Sequence, residues 1–451
     1  MLVLSRYNYF GRWRDGYYLA YNARSGAVAL LTEENHTLLQ KLIRKIAEQQ
    51  TDPLSAEEQQ LLKQLQYGQF VHSADRPELD MLQFESQRAR FDHSSLGLVI
   101  APTMACNMAC TYCYEGTKKG RMSEDTMNAT IGFIERQVKG LNELSISWYG
   151  GEPLLAMDII ETLTRRILGL AEQYGFKYSS MVITNGYGLD RSTVDRLHDL
   201  KVLGAQVTLD GPSALHNRKR PLVNGRPSFD TIVQNLLYAT SRMAVGIRVN
   251  VDKEYTRETV GQLLDELEAA GLRERLSVHF ALMEPATTVC SNISENCYDT
   301  SGFSTVETEY YSMLLERGFR VDKLPSPTTA ACMAQLISAS VVDPDGDLYR
   351  CFNYVGDKAH ACGNLATDAD YRHPEFLRLF TFDPFSNERC RECLVLPLCM
   401  GGCPSRRLDR NITAEQQCES WRFNLEPMLD LIAQSRWQQS RQSMEKADKP
   451  L

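Results

Sequence analysis

The stretch Met104–Gly116 reads MACNMACTYCYEG and places three cysteines, Cys106, Cys110 and Cys113, within eight positions. It follows directly on the apolar run LGLVIA at residues 96–101, so we expect a loop at the end of a β-strand. The Cys-x3-Cys-x2-Cys spacing allows three thiolates to wrap one corner of an iron–sulfur cube, for which cysteine thiolate is the usual ligand. Three protein ligands would leave one iron open, as an open coordination position marks a catalytic rather than a structural zinc site.

The residues alone leave two alternatives, a zinc site or three unrelated buried cysteines. Zinc would need a fourth protein ligand nearby. The only close candidate is His93, which lies on the wrong side of the predicted strand. We therefore favour the iron–sulfur interpretation of this loop.

The composition is that of an ordinary globular protein of 451 residues, with a net charge of −8 and thirteen cysteines. This length predicts about three domains. The acidic balance argues against general binding to nucleic acid or anionic membranes, which both need a basic face. No apolar run approaches the roughly 20 residues of a membrane span, and the N-terminus lacks the layout of an export signal. We expect a cytoplasmic protein whose reduced cysteines bind metal rather than form disulfides.

The first 72 residues are expected to form a small unit of their own. Two short strands are predicted around the turn Asn22–Gly26, followed by two helices that Thr32 and Ser55 can cap. Residues 73–95 are polar and are expected to form a linker that is helical in part.

From Leu96 the chain alternates regularly between short β-rich apolar runs and helical stretches. Such alternation predicts parallel strands joined by right-handed crossovers. Six units are too few for an eight-stranded barrel, so we expect an open or partial barrel with its reactive groups at the carboxyl ends of the strands. The six runs are LGLVIA (96–101), LSISWY (144–149), SSMVIT (179–184), AQVTLD (205–210), VGIRVNV (245–251) and RLSVHFAL (275–282).

A second group of cysteines lies near the C-terminus, in an irregular segment that we expect to need metal for its order. A zinc ribbon is one interpretation, because Cys-x2-Cys is a common zinc half-site. However, seven cysteines do not divide into zinc tetrads, and no histidine completes them. The seven are Cys332, Cys351, Cys390, Cys393, Cys399, Cys403 and Cys418.

The first cysteine group, with Tyr112 before its last member, resembles the signature of radical S-adenosylmethionine (SAM) enzymes. The resemblance implies that the open iron chelates SAM and that an electron then cleaves SAM to a 5′-deoxyadenosyl radical. The segments GGEP (150–153), TNG (184–186), TLDGP (208–212) and RVNV (248–251) follow at later strand ends in the family's order. The resemblance assigns Glu152 to the SAM amino group and Thr208, where serine is usual, to the ribose region. The residues that it places around SAM are Tyr112, Gly150, Gly151, Glu152, Asn185, Thr208, Asp210, Arg218 and Arg248.

The spacing of the second group, over about residues 325–420, resembles the SPASM domain of peptide-modifying radical SAM enzymes. That resemblance implies two auxiliary 4Fe–4S clusters, and therefore three 4Fe–4S clusters in the chain. It assigns one auxiliary cluster to Cys390, Cys393, Cys399 and Cys418. It assigns the other to Cys332, Cys351 and Cys403, with a fourth position that we expect to be open. Alternative fourth ligands, otherwise buried thiols, are Cys290, Cys297 and Cys362.

Together these features predict an α/β protein: a partial (β/α)6 radical SAM barrel with an N-terminal winged-helix-like domain and a C-terminal iron–sulfur SPASM domain. The predicted divisions are a peptide-recognition domain at 1–72, a linker at 73–95, the radical SAM core at 96–303, the SPASM domain at 304–426, and a helix and tail at 427–451.

The resemblance implies a maturase that closes a thioether or carbon–carbon cross-link in a ribosomally synthesised precursor peptide. Residues 1–72 would bind the leader of that peptide as an added strand, and a flavodoxin- or ferredoxin-type protein would donate electrons. One alternative is an anaerobic sulfatase maturase, which forms formylglycine and carries an aspartate base directly after the cysteine equivalent to Cys351. Here that residue is Phe352. The other alternative, a non-enzymatic iron–sulfur sensor or electron carrier, does not explain GGEP.

Overall fold

The fold is described from a computed structural model. The structure describes residues 1–14, 16–50, 52–116, 119–285, 287–409 and 411–447. The chain divides into two compact units, each built from segments that are distant in sequence. The terminal unit comprises Met1–Arg90, Lys323–Ala331 and Asp383–Leu451, and the barrel unit comprises Phe91–Asp322 and Cys332–Phe382.

The N-terminal part of the terminal unit combines short antiparallel strands with three helices. Its elements are β1 (Leu2–Leu4), β2 (Asn8–Arg12), β3 (Tyr18–Asn22), β4 (Val28–Leu31), α1 (Glu33–Ala47), α2 (Ala56–Tyr67), β5 (Val71–Ser73) and α3 (Glu78–Arg90). Strands β2, β3 and β4 form one sheet, and β1 pairs with β5. The predicted caps are confirmed, because Thr32 accepts from the Asn35 N–H and Ser55 forms a capping box with Glu58. Helix α3 occupies much of the predicted linker.

The barrel unit contains one sheet with six parallel strands in chain order, which confirms the predicted partial barrel. Its strands are β6 (Ser95–Thr103), β7 (Glu143–Gly150), β8 (Lys177–Thr184), β9 (Val202–Thr208), β10 (Ala244–Val251), β11 (Ser277–Leu282), β12 (Ala339–Val342) and β13 (Leu348–Tyr349). The order across the sheet is β11-β10-β9-β8-β7-β6-β12-β13. Strand β12 runs parallel to β6, so the segment that carries the later cysteines extends the same sheet.

Helices follow the strands of the barrel unit and bury their apolar stripes against the sheet. They are α4 (Glu124–Glu135), α5 (Met157–Tyr174), α6 (Arg191–Asp199), α7 (Ser213–Lys219), α8 (Phe229–Ala239), α9 (Arg257–Ala269) and α10 (Thr300–Glu316). Helix α5 shows why they form: Leu163 and Ile167 are fully buried on one stripe, and Gly175 ends the helix in the left-handed conformation. The predicted limit between residues 303 and 304 lies inside α10. The unit closes with β14 (Gly363–Asn364), β15 (Asp368–Ala369) and α11 (Pro374–Phe380).

Among its described residues, the C-terminal part of the terminal unit contains four α-helices, α12 (Glu388–Arg391), α13 (Leu396–Cys399), α14 (Pro404–Leu408) and α15 (Trp421–Ala447). It shares a hydrophobic core with the N-terminal strands, in which Tyr7 and Leu19 pack with Leu396 and Leu429. The last helix was expected from Pro427, but it begins at Trp421. The non-helical backbone of Asn424 bends it there, just before the proline that cannot donate a helical hydrogen bond.

Helices that are both long and apolar enough to cross a membrane do not occur in the part of the chain that the structure describes.

Candidate functional site

The three-cysteine loop lies at the carboxyl end of β6, as predicted, and a second segment holds it in place. The Ala109 N–H donates to the Pro221 carbonyl at 2.9 Å, and the Val223 N–H donates to the Asn107 carbonyl at 3.0 Å. An isolated bridge pairs Met108 with Leu222 between these bonds. The loop is therefore fixed along its length by backbone hydrogen bonds, so its cysteines are presented from a constrained backbone.

Gly150 and Gly151 pack the end of β7 directly under this loop. A Cβ atom added at Gly150, where φ is +114°, would lie 2.5 Å from the Thr103 carbonyl oxygen. At Gly151 it would lie 2.5 Å from the carbonyl oxygens of Met104 and Ala105. We expected these glycines to allow close approach of a ligand, and the structure shows that they allow close approach of the cysteine loop itself.

The surroundings of the three loop thiols determine how readily they become thiolates. Desolvation raises the pKa of all three thiols, that of Cys106 to about 12. Because thiolates rather than thiols bind metal, these side chains need a metal centre whose charge favours their deprotonation. The Met108 N–H already donates to Cys106 Sγ at 3.4 Å, as backbone donors do to cluster ligands. The donor set and its surroundings therefore fit the predicted cluster.

Glu152 is buried at the end of β7 and accepts three hydrogen bonds from the chain. Its carboxylate accepts from the Thr184 hydroxyl at 2.7 Å, the Asn185 N–H at 2.8 Å and the Leu154 N–H at 3.0 Å. Burial raises its pKa, and these donors act in the opposite direction. The Asn185 amide donates to Asn107 Oδ1 at 2.7 Å, next to Cys106. Hydrogen bonds thus connect the ends of β7 and β8 with the cysteine loop.

Tyr112 is the centre of a buried polar network at the ends of β9 and β10. Its hydroxyl donates to the Asp210 carboxylate and accepts from Arg220 Nη1 at 2.6 Å. The Asn250 N–H donates to Asp210 Oδ1 at 2.8 Å, and Arg220 lies 3.7 Å from the same carboxylate. This network joins the middle of the cysteine loop to two strand ends.

His216 supports the network from behind. Its Nδ1 accepts from the Asp210 N–H at 3.1 Å. Its Nε2 therefore carries the proton and donates to Ser228 Oγ at 3.1 Å, and that hydroxyl donates to the Arg220 carbonyl at 2.9 Å. Burial lowers the pKa of His216 to about 3, so the ring is neutral. The only sequence signal for the contacts of His216 with this network was its position after TLDGP.

The structure separates two arginines that the sequence could not rank. Arg218, one of the predicted SAM contacts, has a side chain that is 64% exposed and pairs with Glu254 at 3.1 Å. Arg220, two residues further on, is buried in the network around Tyr112. The structure therefore places Arg220, and not Arg218, in the network around Tyr112, and the SAM contact of Arg218 stays a prediction. Arg218 lies in the last turn of α7, whereas Arg220 lies just past the end of the helix, with a non-helical backbone (φ −133°, ψ 56°).

Thr208 and Arg248 are neighbours in the register of β9 and β10. Both are half-buried at the carboxyl end of the sheet. Arg248 Nε donates to Asn250 Oδ1 at 2.9 Å, and burial lowers the pKa of the guanidinium. Their contact with SAM stays a prediction.

Three aromatic side chains line the same end of the barrel. The phenols of Tyr114 and Tyr149 contact each other, and the ring of Tyr149 packs on Phe352 with the centroids 5.7 Å apart. Tyr114 directly follows Cys113, and Phe352 directly follows Cys351. A continuous aromatic surface therefore joins the first cysteine loop to the segment of Cys351. Sequence analysis did not select Tyr114 or Tyr149, whose only signals were their positions beside Cys113 and GGEP.

Four of the later cysteines line one cavity in the terminal unit, and their assignment to one cluster stays a prediction. Arg407 Nη2 donates to Cys390 Sγ at 3.3 Å, and Arg422 Nη1 donates to Cys393 Sγ at 3.5 Å. Burial raises the pKa of Cys390 and Cys399. Converging thiols with cationic neighbours fit an anionic iron–sulfur cluster. The four cysteines are Cys390, Cys393, Cys399 and Cys418.

Cys332 and Cys351 belong to the barrel unit, where buried Arg350 ties their segments together. Arg350 Nη2 donates to the carbonyl oxygens of Met333 and Ala334 at 3.3 and 3.1 Å. Cys403 belongs to the terminal unit, so its predicted place in the same cluster stays a prediction.

The three remaining cysteines are buried, and each thiol donates to a backbone carbonyl. The acceptors are Thr287 for Cys290, Ile293 for Cys297 and Leu348 for Cys362, all at 3.4 Å. These bonds agree with the interpretation of the three as buried thiols. In the described ranges, no group of three or more His, Cys, Asp or Glu side chains is arranged to hold a single metal ion.

A partial parallel barrel with three cysteines on its first loop defines the class of this protein. Residues 100–267 match the family described as the Radical SAM superfamily. The chain therefore contains a radical SAM domain, whose family uses SAM and a 4Fe–4S cluster, followed by a cysteine-rich C-terminal segment.

The relatives of the chain are radical SAM maturases that modify peptides and proteins. Mycofactocin maturase MftC of Mycolicibacterium smegmatis is 26% identical over 318 residues, which span 67% of this chain and 76% of the relative. The serine-type anaerobic sulfatase-maturating enzyme of Klebsiella aerogenes is 26% identical over 329 residues, which span 67% of this chain and 77% of that enzyme.

Two solved structures show the same fold. The structure of Streptococcus suis SuiB bound to its precursor peptide SuiA superposes with a TM-score of 0.52 at 17% identity, and covers 91% of this chain and 97% of SuiB. Native anSMEcpe with bound AdoMet and Cp18Cys peptide superposes with a TM-score of 0.59 at 21% identity, and covers 76% of this chain and 99% of anSMEcpe.

Proposed function

We propose that this chain is a radical SAM maturase that closes a thioether or carbon–carbon cross-link in a ribosomally synthesised precursor peptide. The observation that carries the proposal is the contact of Phe352 with Tyr149 beside Cys351. A sulfatase maturase needs a proton acceptor at the position of Phe352, and a phenyl ring cannot accept a proton. Burial raises the pKa of Tyr149, so its phenol stays protonated near neutral pH and does not replace that base.

The N-terminal strands and helices also support a peptide maturase. SuiB, whose structure was solved with its precursor peptide SuiA bound, covers 91% of this chain, whereas anSMEcpe covers 76%. In the described residues β2 and β4 are the outer strands of their sheet. Such an edge can accept the leader of a precursor as an added strand.

When bound, the SAM cluster and SAM would supply a 5′-deoxyadenosyl radical that abstracts a hydrogen from the peptide. Cys106, Cys110 and Cys113 would hold that cluster on the loop fixed by residues 219–223. Glu152 and the network of Tyr112 would orient SAM against it. The protein's own contribution is thus to bind, to orient and to exclude water.

The proposal includes three 4Fe–4S clusters, with the auxiliary ligands as predicted from the sequence. It also includes a cytoplasmic location and an electron donor of the flavodoxin or ferredoxin type. Neither nucleic acid nor membrane is expected as a partner.

The test is coexpression with each short peptide encoded beside the gene, followed by mass spectrometry of the peptide. We expect a loss of two hydrogens per cross-link, and resistance to thiol alkylation if the bond is a thioether. The matched control is the chain with Cys106, Cys110 and Cys113 replaced by Ala, which should leave the peptide unmodified. An unmodified peptide in the presence of active SAM cleavage would contradict the proposed substrate class.

A further inference from the structure

Arginine side chains line the four-cysteine cavity of the terminal unit. Arg389, Arg407 and Arg422 line it together with the cysteines. Two of these arginines donate to ligand sulfurs, Arg407 to Cys390 at 3.3 Å and Arg422 to Cys393 at 3.5 Å. The third differs, because Arg389 pairs with Glu415 at 3.1 Å.

We propose that Arg407 and Arg422 raise the reduction potential of the auxiliary cluster held by these cysteines. They act through the sulfurs and are therefore positioning residues rather than catalytic ones. The inference rests on the proposed function to the extent that it needs this cluster to be present. It goes beyond that function because it assigns a redox role to two residues outside the ligand set.

The physical argument concerns the charge that reduction adds. Four thiolates make a 4Fe–4S cluster anionic, and one-electron reduction makes it more so. Hydrogen bonds to the ligand sulfurs and nearby positive charge stabilise the reduced form more than the oxidised form. Both effects come here from the same guanidinium groups, whose hydrogen bonds reach partly buried cysteines.

Two other arginines of this segment, Arg389 and Arg406, pair with carboxylates. Arg406 lies 3.5 Å from Glu419, which also borders the cavity, so much of its charge is neutralised. Arg389 is neutralised in the same way by Glu415. Arg407 and Arg422 each direct an N–H group at a ligand sulfur, and these two contacts are the basis of the proposal.

The test is an EPR-monitored redox titration of the full-length, anaerobically reconstituted protein. Replacing Cys106, Cys110 and Cys113 by Ala leaves only the auxiliary signals. We expect Arg407→Met and Arg422→Met each to shift the midpoint potential of one signal downward, and the double variant to shift it further. Arg407→Lys should shift it less than Arg407→Met, because the charge and a donor remain. Arg389→Met is the matched control and should leave the midpoint close to that of the parent.

Iron content separates failure of this inference from failure of the proposed cluster. Cys390, Cys393, Cys399 and Cys418 replaced together by Ala should lower the iron content; unchanged iron would show that the cluster is absent, and the inference would then fall with it. If the iron content is full, an unchanged midpoint potential in both Arg407→Met and Arg422→Met would overturn the proposed role of these arginines. An equal shift in Arg389→Met would overturn it as well. If Arg407→Met does not retain the cluster, Arg407→Lys and Arg422→Met decide.

Discussion

Tyr149 packs its ring against Phe352, with the two ring centroids 5.7 Å apart, and so an aromatic contact occupies the place next to Cys351. No carboxylate stands at that position in the sequence. We therefore predict that the wild-type chain forms no formylglycine on a sulfatase-derived peptide. The measurement is derivatisation with an aldehyde reagent followed by mass spectrometry. An aldehyde product formed at a rate comparable with SAM consumption would reverse the ranking of the two functions.

Phe352→Asp extends this prediction. Phe352 is 42% exposed, so the carboxylate would stay hydrated, and it would replace the aromatic contact with Tyr149 by a negative charge. We expect the cross-linking rate to fall by at least tenfold, while SAM cleavage without peptide continues. Phe352→Leu is the control, because it keeps an apolar surface. Its cross-linking rate should fall less than that of Phe352→Asp. Equal rates in all three proteins would show that the aromatic contact does not position the peptide.

Iron analysis tests the cluster count. Three cubane clusters correspond to about twelve irons per chain after anaerobic reconstitution. Replacing Cys106, Cys110 and Cys113 by Ala should remove about a third of that iron and stop SAM cleavage. Bound zinc with little iron would refute the iron–sulfur interpretation of both cysteine groups.

The strands and caps were predictable because each depends on residues close together in sequence. The apolar runs gave β6–β11, and Thr32 and Ser55 gave the starts of α1 and α2. The network around Tyr112 was not predictable in the same way. Arg218 and Arg220 differ by two positions, and the end of α7 at Lys219, which the sequence does not mark, separates their backbone conformations.

The sequence also did not predict which segments of the chain make up each of the two units. Tyr7 and Leu429 share a core although more than four hundred positions separate them. No local pattern records such a pairing, and the predicted divisions therefore placed the two residues in different domains. The close packing of Gly150 and Gly151 under the cysteine loop is a second case, since the motif alone pointed to a ligand.

This shared core changes how the N-terminal strands should be tested. Leu429 is fully buried against them, so Leu429→Ala should lower the free energy of unfolding by about 2–5 kcal/mol. Deleting residues 1–72 would expose the same core and is therefore a less specific test of peptide recognition. The measurement is chemical denaturation. Tyr67→Ala is the control, since Tyr67 is 92% exposed, and it should change the stability by less than about 0.5 kcal/mol.

His216 should make stability depend on pH. Its pKa is lowered by burial from 6.5 to about 3 in the folded chain, so the unfolded chain binds more protons between these values. Stability therefore falls as the pH drops below about 6.5, approaching about 1.4 kcal/mol per unit from this group. His216→Gln can keep both hydrogen bonds without titrating. Urea unfolding at pH 7.5 and 5.5 should show a smaller loss of unfolding free energy for His216→Gln than for the wild type. Equal losses in the two proteins would exclude the buried neutral ring as a source of the pH dependence.

Arg220 and Arg218 provide a matched pair for the SAM site. Arg220 is buried beside Tyr112 and Asp210, whereas the Arg218 side chain is 64% exposed. Removing the guanidinium of Arg220 leaves the Asp210 carboxylate buried without its cationic neighbour, which disturbs the cysteine loop and the strand ends together. We expect Arg220→Met to weaken SAM binding to the reconstituted protein by at least tenfold, and Arg220→Lys to weaken it less. Arg218→Met should bind SAM within about fivefold of wild type, because it breaks only an exposed ion pair with Glu254, worth about 1 kcal/mol or less. Calorimetric titration with SAM measures these affinities, and iron content and circular dichroism verify that the variants are loaded and folded. A larger loss in Arg218→Met than in Arg220→Met would restore Arg218 as the residue that faces SAM.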